Sequence, residues 1–215
     1  SDFLMLGDIE DDLDLGQIVE EVAALIKKGK ARHWGVNNWS ARELRTVHDY
    51  AVAHGLPRPQ IAQLKYNVSR RTKPESEYWL KLLDDTGIAL QASDIFESGY
   101  FAGKLMVSRG VARDPGDIRP LIQESVPRFI EIARSIGATP AQLSIAFCMA
   151  HPAMATILFG ATSLAQLDEN LAARGVFEKH GDRIRDLVAE FWFDKDRIDP
   201  ESSWSEKPMR FAASA

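Results

Sequence analysis

The chain has 215 residues, 45% of them hydrophobic and 27% charged, a globular composition that excludes disordered, collagenous and coiled-coil chains. With 26 Lys and Arg against 31 Asp and Glu the formal charge is −5, so no chain-wide basic field exists to hold a nucleic acid backbone. The single cysteine, Cys148, leaves no internal disulfide, no Cys/His cluster has zinc spacing, no apolar run suits a bilayer span, and the acidic start is unlike a signal peptide; together these point to the cytoplasm.

In chain order, short β-rich runs alternate with helical patterns. Asp2 to Leu6 is a continuous apolar run of buried-strand type, followed by the acidic residues Asp8, Glu10, Asp11, Asp12 and Asp14. These lack the Gly and terminal Glu of an EF-hand spacing and read as a solvated loop. The pattern predicts a helix from Gln17 to Lys28, with Ile18, Val22, Leu25 and Ile26 on one stripe and lysines at its C-terminal end. His33 to Val36 is a second strand, and Ser40-Ala-Arg-Glu43 is a capping box opening a helix that ends at Gly55. Gln60 to Leu64 is a third strand, and Pro74 suits the first turn of a helix that runs to Gly87. Ile88 to Ala92 is a fourth strand, Asp94 to Pro120 a long irregular segment, and Leu121 to Ile136 a helix. Thr139-Pro-Ala-Gln142 caps a helix through Ala150, in which Cys148 reads as a buried small hydrophobe. Met154 to Phe159 is a fifth strand. Gly160 to Ser163 turns into a helix ending near Ala173, with Gln166 three residues after Ser163 as a cap signature, and one amphipathic helix spans Gly181 to Phe193 before a polar tail.

Five strands separated by helices imply a parallel sheet with right-handed crossovers, hence a doubly wound sheet or a (β/α)8 TIM barrel. No Gly-x-Gly-x-x-Gly follows the first strand, and five units of roughly 31 residues plus an extension fit the length. An α/β fold of (β/α)8 type, incomplete at its beginning, is therefore expected over residues 1–193, with a tail over 194–215.

In either architecture the chemistry gathers at the C-terminal ends of the strands. Those positions hold Gly7, Asp8, Asn37, Asn38, Gln63, Ser93, Asp94 and the turn from Gly160 to Ser163. Three are amides, which offer donors and an acceptor to a ligand such as a carboxamide and are poor general acids or bases. The Gly160 turn presents a helix N-terminus to which a phosphate would fit, although on these residues alone the simpler reading is that they turn and cap a helix. Glu169 and Asn170 lie farther along that helix, on a face that reads as solvated. Arg70, Arg71 and Lys73 read as a basic loop surface, and Lys65 and Tyr66, adjacent on a strand, point to opposite faces and do not form one site. The five histidines are scattered, none at ligand spacing, and no metal site is expected.

Four ordered segments carry a resemblance: Gly29 to Ser40 (GKARHWGVNNWS), Gln63 to Asn67 (QLKYN), Gly99 to Lys104 (GYFAGK) and Gly160 to Ala173 (GATSLAQLDENLAA). In this order and spacing they resemble the aldo-keto reductase family. The resemblance implies a (β/α)8 barrel in which Asp2 to Leu6 is the fourth strand, so that strands 4 to 8 and a C-terminal helix are present. It implies NADP or NAD as cofactor, with a small carbonyl or sugar substrate. It makes Asn37, Asn38 and Gln63 the contacts of the nicotinamide carboxamide. It makes Gly160, Thr162, Ser163 and Gln166 the site of the adenosine phosphate, with Glu169 and Asn170 near the adenine.

The same resemblance implies departures. The family's catalytic Asp, Tyr and Lys lie in the earlier units, and its His falls where this chain has Gly7, so no catalytic residue is assigned. The chain alone is expected to be inactive. Ser93 and Asp94 stand where the family places an aromatic stack, and Gly160, Ala161, Thr162 and Gln166 supply no base for a 2′-phosphate, which leaves NADP and NAD undecided. The alternative is a non-catalytic barrel remnant that binds a nucleotide or a protein, and exposed barrel edges favour self-association.

Overall fold

A computed structural model describes residues 1–7, 13–107 and 114–202; the acidic residues from Asp8 to Asp12 and most of the tail lie outside the described residues. Five strands, β1 (Phe3–Leu6), β2 (His33–Asn37), β3 (Ile61–Lys65), β4 (Ala89–Ser93) and β5 (Met154–Ile157), follow one another in a single sheet in sequence order. β1, β2 and β3 pair parallel, with Phe3 opposite His33 and Asn37 opposite Gln63. Helices connect the strands, as the expected α/β repeat requires. The chain divides into two compact units, one of Ser1–Leu64, Lys73–Gln91 and Asp199–Ala215, the other of Lys65–Thr72 and Ala92–Ile198.

In the first unit, each helix starts where its cap directs. The Asp14 carboxylate accepts from the Gly16 and Gln17 N–H groups and opens α1 (Leu15–Lys27), which buries Val19 and Val22. Ser40 and Glu43 close a reciprocal box on α2 (Ala41–Ala53), at 3.1 and 2.6 Å, and Leu44, Val47 and Ala51 face the core. Gly35 is required in β2 by close approach, because a Cβ there would collide with the backbone and side chain of Ile61. α3 (Glu77–Thr86) begins later than Pro74 suggested. Ser76 is its N-cap, accepting from the Trp79 N–H, and Gly87 ends it at φ 68°.

The second unit is built around α5 (Pro140–Met149), which buries nearly its whole circumference from Ala141 to Cys148 and so has little polar face. The Thr139–Gln142 capping box forms as expected. A short 3-10 helix (Glu97–Ala102) occupies part of the irregular stretch, followed by α4 (Arg119–Ser135). Phe101, Phe129 and Phe191 stack edge to face at 5.0 and 5.3 Å and form the aromatic core. α6 (Leu164–Leu171) follows β5. The single helix expected from Gly181 to Phe193 is broken. α7 (Ala173–His180) ends at Gly181, whose φ of 52° lies outside the helical region, and only α8 (Arg183–Leu187) and a 3-10 turn (Ala189–Phe191) follow.

Candidate nucleotide site

At the C-terminal strand ends of the first unit, the predicted amides meet. Gln63 Nε2 donates to Asn37 Oδ1 at 2.8 Å, and the Asn38 N–H donates to the Gln63 carbonyl at 2.9 Å. Asn38 has φ 59°, a left-handed conformation that Asn tolerates better than most residues. A primary amide carries two donor hydrogens and an acceptor oxygen, so the Asn37–Gln63 contact uses only part of each group's capacity. Trp39 Nε1 donates to the Gly7 carbonyl at 2.6 Å and fixes the end of β1 beside β2. Among the described residues, its chain neighbours aside, no heavy atom lies within 4 Å of where a Gly7 Cβ would stand.

In the second unit a cleft of about 720 Å³ opens beside the ends of β4 and β5. Five of the predicted residues line it: Gly160, Thr162, Gln166, Glu169 and Asn170; Asp94, Ser98 and Lys104 share the wall. Ser163 is not among the lining residues. Its hydroxyl caps α6 by accepting from the Gln166 N–H at 3.2 Å. Gln166 in turn reaches back, its Oε1 accepting from the Thr162 N–H at 2.8 Å and the Thr162 hydroxyl at 3.0 Å, which pins the turn shut. Asn170 is buried, contrary to the solvated face read from the sequence, because it lies on the inner side of α6, and Glu169 beside it is half-buried.

Beside that cleft lies an ionic cluster whose members are scattered along the chain from Lys65 to Asp114. Arg70 Nε and Nη2 donate to the two carboxylate oxygens of Glu97 at 2.9 and 2.8 Å, and Nη2 also meets Asp114 at 2.6 Å. Lys65 Nζ stands 2.7 Å from Asp94 Oδ2 and 3.4 Å from Glu97 Oε1. Asn67 Nδ2 donates to Glu97 at 3.0 Å and to the Asp94 carbonyl at 3.1 Å. Burial opposes ionisation of both Arg70 and Glu97, yet their paired hydrogen bonds and charges win. The Glu97 carboxyl is held below the usual carboxylate range, and the Arg70 guanidinium is pulled further up.

The basic patch read as loop surface is therefore wrong: Arg70, Arg71 and Lys73 are all buried. Arg71 donates to the Val68 and Val188 carbonyls and lies 4.5 Å over the Phe147 ring. Asp194 accepts from the Arg71 and Thr72 N–H groups and from the Thr72 hydroxyl; its burial nevertheless pushes its carboxyl up. Lys65 and Tyr66 diverge as expected, Lys65 to the carboxylates and Tyr66 against Phe147 and His151. Among the described residues no group of His, Cys, Asp and Glu is arranged to hold a metal ion, and no helix is long and apolar enough to cross a membrane.

Comparison with known proteins gives a consistent result. A protein of Arabidopsis thaliana named a probable voltage-gated potassium channel subunit beta is 31% identical over 172 residues, covering 73% of this chain and 51% of that protein. One of the same name from Oryza sativa subsp. japonica is 30% identical over 163 residues, covering 71% and 49%. The chain thus spans about half the length of the curated relatives it matches. A solved thermostable aldo-keto reductase, in complex with the inhibitor epalrestat, superposes with a TM-score of 0.65 at 22% identity, covering 88% of this chain and 59% of that one, which supports the barrel-type fold. The model of the aldo/keto reductase family matches residues 1–188, and the chain belongs to that family.

Proposed function

We propose that this chain is a nicotinamide-dinucleotide-binding part of an aldo-keto reductase acting on small carbonyl or sugar substrates in the cytoplasm. The observation that carries this reading is the grouping of five expected ligand residues around one cleft, with the Asn37–Gln63 amide pair at the strand ends of the first unit. The donor set fits the cofactor: paired amides match a carboxamide, and about 720 Å³ lies within the range of small-molecule sites. In the first unit Asn37, Asn38 and Gln63 would hold the carboxamide of NADP or NAD. In the second unit Gly160, Thr162, Gln166, Glu169 and Asn170 would receive an adenosine phosphate, while Ser163 holds their turn. A reduced nicotinamide, when bound, would supply the hydride for a carbonyl carbon.

The carbonyl oxygen needs a proton donor as well. Gly7 brings no side chain to the end of β1, and Lys65 and Tyr66 are committed to separate networks. We therefore infer that the 215-residue chain does not reduce carbonyls by itself. Incubation with NADPH and an aromatic aldehyde, followed at the nicotinamide absorbance, is expected to show no turnover above background; turnover that follows enzyme concentration would overturn the inference.

A second reading, a non-catalytic remnant that engages a nucleotide or a protein, is favoured by one observation. Leu164, Leu167 and Leu171 form a stripe along α6, and Leu164 is 79% exposed. That reading predicts association through the stripe with no dependence on nucleotide.

A further inference from the structure

We propose that Asp94, neutralised by Lys65, is the residue that sets how strongly the cleft of the second unit holds phosphate-bearing ligands. The proposal rests on the nucleotide reading of that cleft. Asp94 lines the cleft and its side chain is 33% exposed, so its charge faces whatever binds there. Lys65 is only 11% exposed and approaches from the other side, 2.7 Å from Asp94 Oδ2. The lysine is shared: Glu97 Oε1 stands 3.4 Å from the same ammonium and is fully buried. Glu97 already has the Arg70 fork, at 2.9 and 2.8 Å, and Asn67 as partners. The cluster therefore keeps Glu97 compensated even without Lys65, while Asp94 draws on Lys65 for its own compensation.

The backbone fixes this arrangement. Asp94, Glu97 and Ser98 have φ values of 50°, 45° and 63°, a region that residues other than Gly occupy sparsely and keep only when their surroundings hold them. Here the Asn67 side chain holds the Asp94 carbonyl at 3.1 Å and the Glu97 N–H donates to it at the same distance. The carboxylate thus stands at a defined place in the cleft wall. An anion entering the cleft meets a neutralised ion pair. Deleting the lysine charge leaves the anion facing the Asp94 carboxylate, and deleting the carboxylate charge removes that repulsion while Lys65 stays behind the wall beside Glu97.

Adenosine 5′-diphosphate and adenosine separate charge from shape, since they share base and ribose. Calorimetric titration of both into the full chain is the test. In Asp94→Asn, ADP is expected to bind about fivefold to tenfold tighter at low salt, and adenosine unchanged. The gain should shrink at 0.5 M salt, where the screening length is only about 4 Å. Asn tolerates the left-handed conformation at this position, so the variant keeps the loop. Lys65→Met should weaken ADP about fivefold, and the double variant Lys65→Met/Asp94→Asn should return it near the wild-type affinity. ADP binding that is indifferent to Asp94→Asn, or a change shared equally by adenosine, overturns the role of Asp94 and leaves the nucleotide reading standing. Absence of binding by both probes, in the wild type and in every variant, overturns that reading and this proposal together.

Discussion

At the residue scale, the buried Arg70–Glu97 pair dominates. Two desolvated charges are stabilising only while both are present, so removing one partner costs about 3–5 kcal/mol, whereas replacing both with apolar residues can be nearly neutral. Arg70→Met should therefore lower unfolding free energy by about that amount in a denaturant titration, and Arg70→Met/Glu97→Met by much less. A single variant as stable as the wild type would contradict this assignment. Acid and base also act oppositely on two buried carboxyls. Glu97 is depressed, so its stabilisation is present above its unfolded pKa of about 4.3 and is lost as pH falls through the folded value; Glu97→Gln should flatten the acid limb of stability against pH. Asp194 is raised by burial, so its contribution is present below its unfolded pKa of about 3.9 and is lost as pH rises through the folded value. Asp194→Asn should remove that loss. Two stability profiles that shift in the same direction would refute the pair of assignments. Neither group could be read from sequence, because Glu97 lies 27 residues from Arg70 and Asp194 lies 123 from Arg71, and an arginine beside an arginine looks like surface until its distant partners are known.

At the element scale, local chemistry was legible and long-range geometry was not. Ser40 with Glu43, Thr139 with Gln142 and Ser163 with Gln166 cap the helices they were expected to cap, because a cap is written within four residues. The helix Ala173–His180 was missed, and the helix expected from Gly181 to Phe193 is interrupted at Val188, although the apolar positions Ile184, Leu187, Val188 and Phe191 keep a helical spacing across it. Pro74 also misled: it tolerates a first turn without specifying one, and Ser76 sets the start. The sharpest element-level prediction concerns β2. Gly35→Ala places a methyl against the Ile61 carbonyl, where strand pairing leaves no room to relax, and should destabilise the chain by about 3 kcal/mol in chemical unfolding. A wild-type midpoint in this variant would show that β2 and β3 pair differently.

At the scale of the whole molecule, the parallel sheet of α/β units was legible from alternation and length, and the family from four short segments in order. Five of the residues expected at a nucleotide site line one cleft, whereas the ionic cluster beside it was not legible, because its partners lie far apart in the chain. β1 and β5 are the terminal strands of the sheet order, and Phe3, Leu158, Leu164 and Leu171 near them are substantially exposed. Light scattering of the purified chain should therefore show dimers or larger species, reduced by Leu164→Glu/Leu171→Glu; a dispersed monomer at high concentration would contradict self-association. The central claim, that the chain holds a nicotinamide dinucleotide, is tested most directly by calorimetric titration of NADPH and NADH into the wild type and into Gln63→Ala. Saturable binding of at least one dinucleotide, weakened at least tenfold in the variant, or about 1.4 kcal/mol, is the expected result. Heats no different from dilution for both dinucleotides would contradict it and leave the family fold without this ligand.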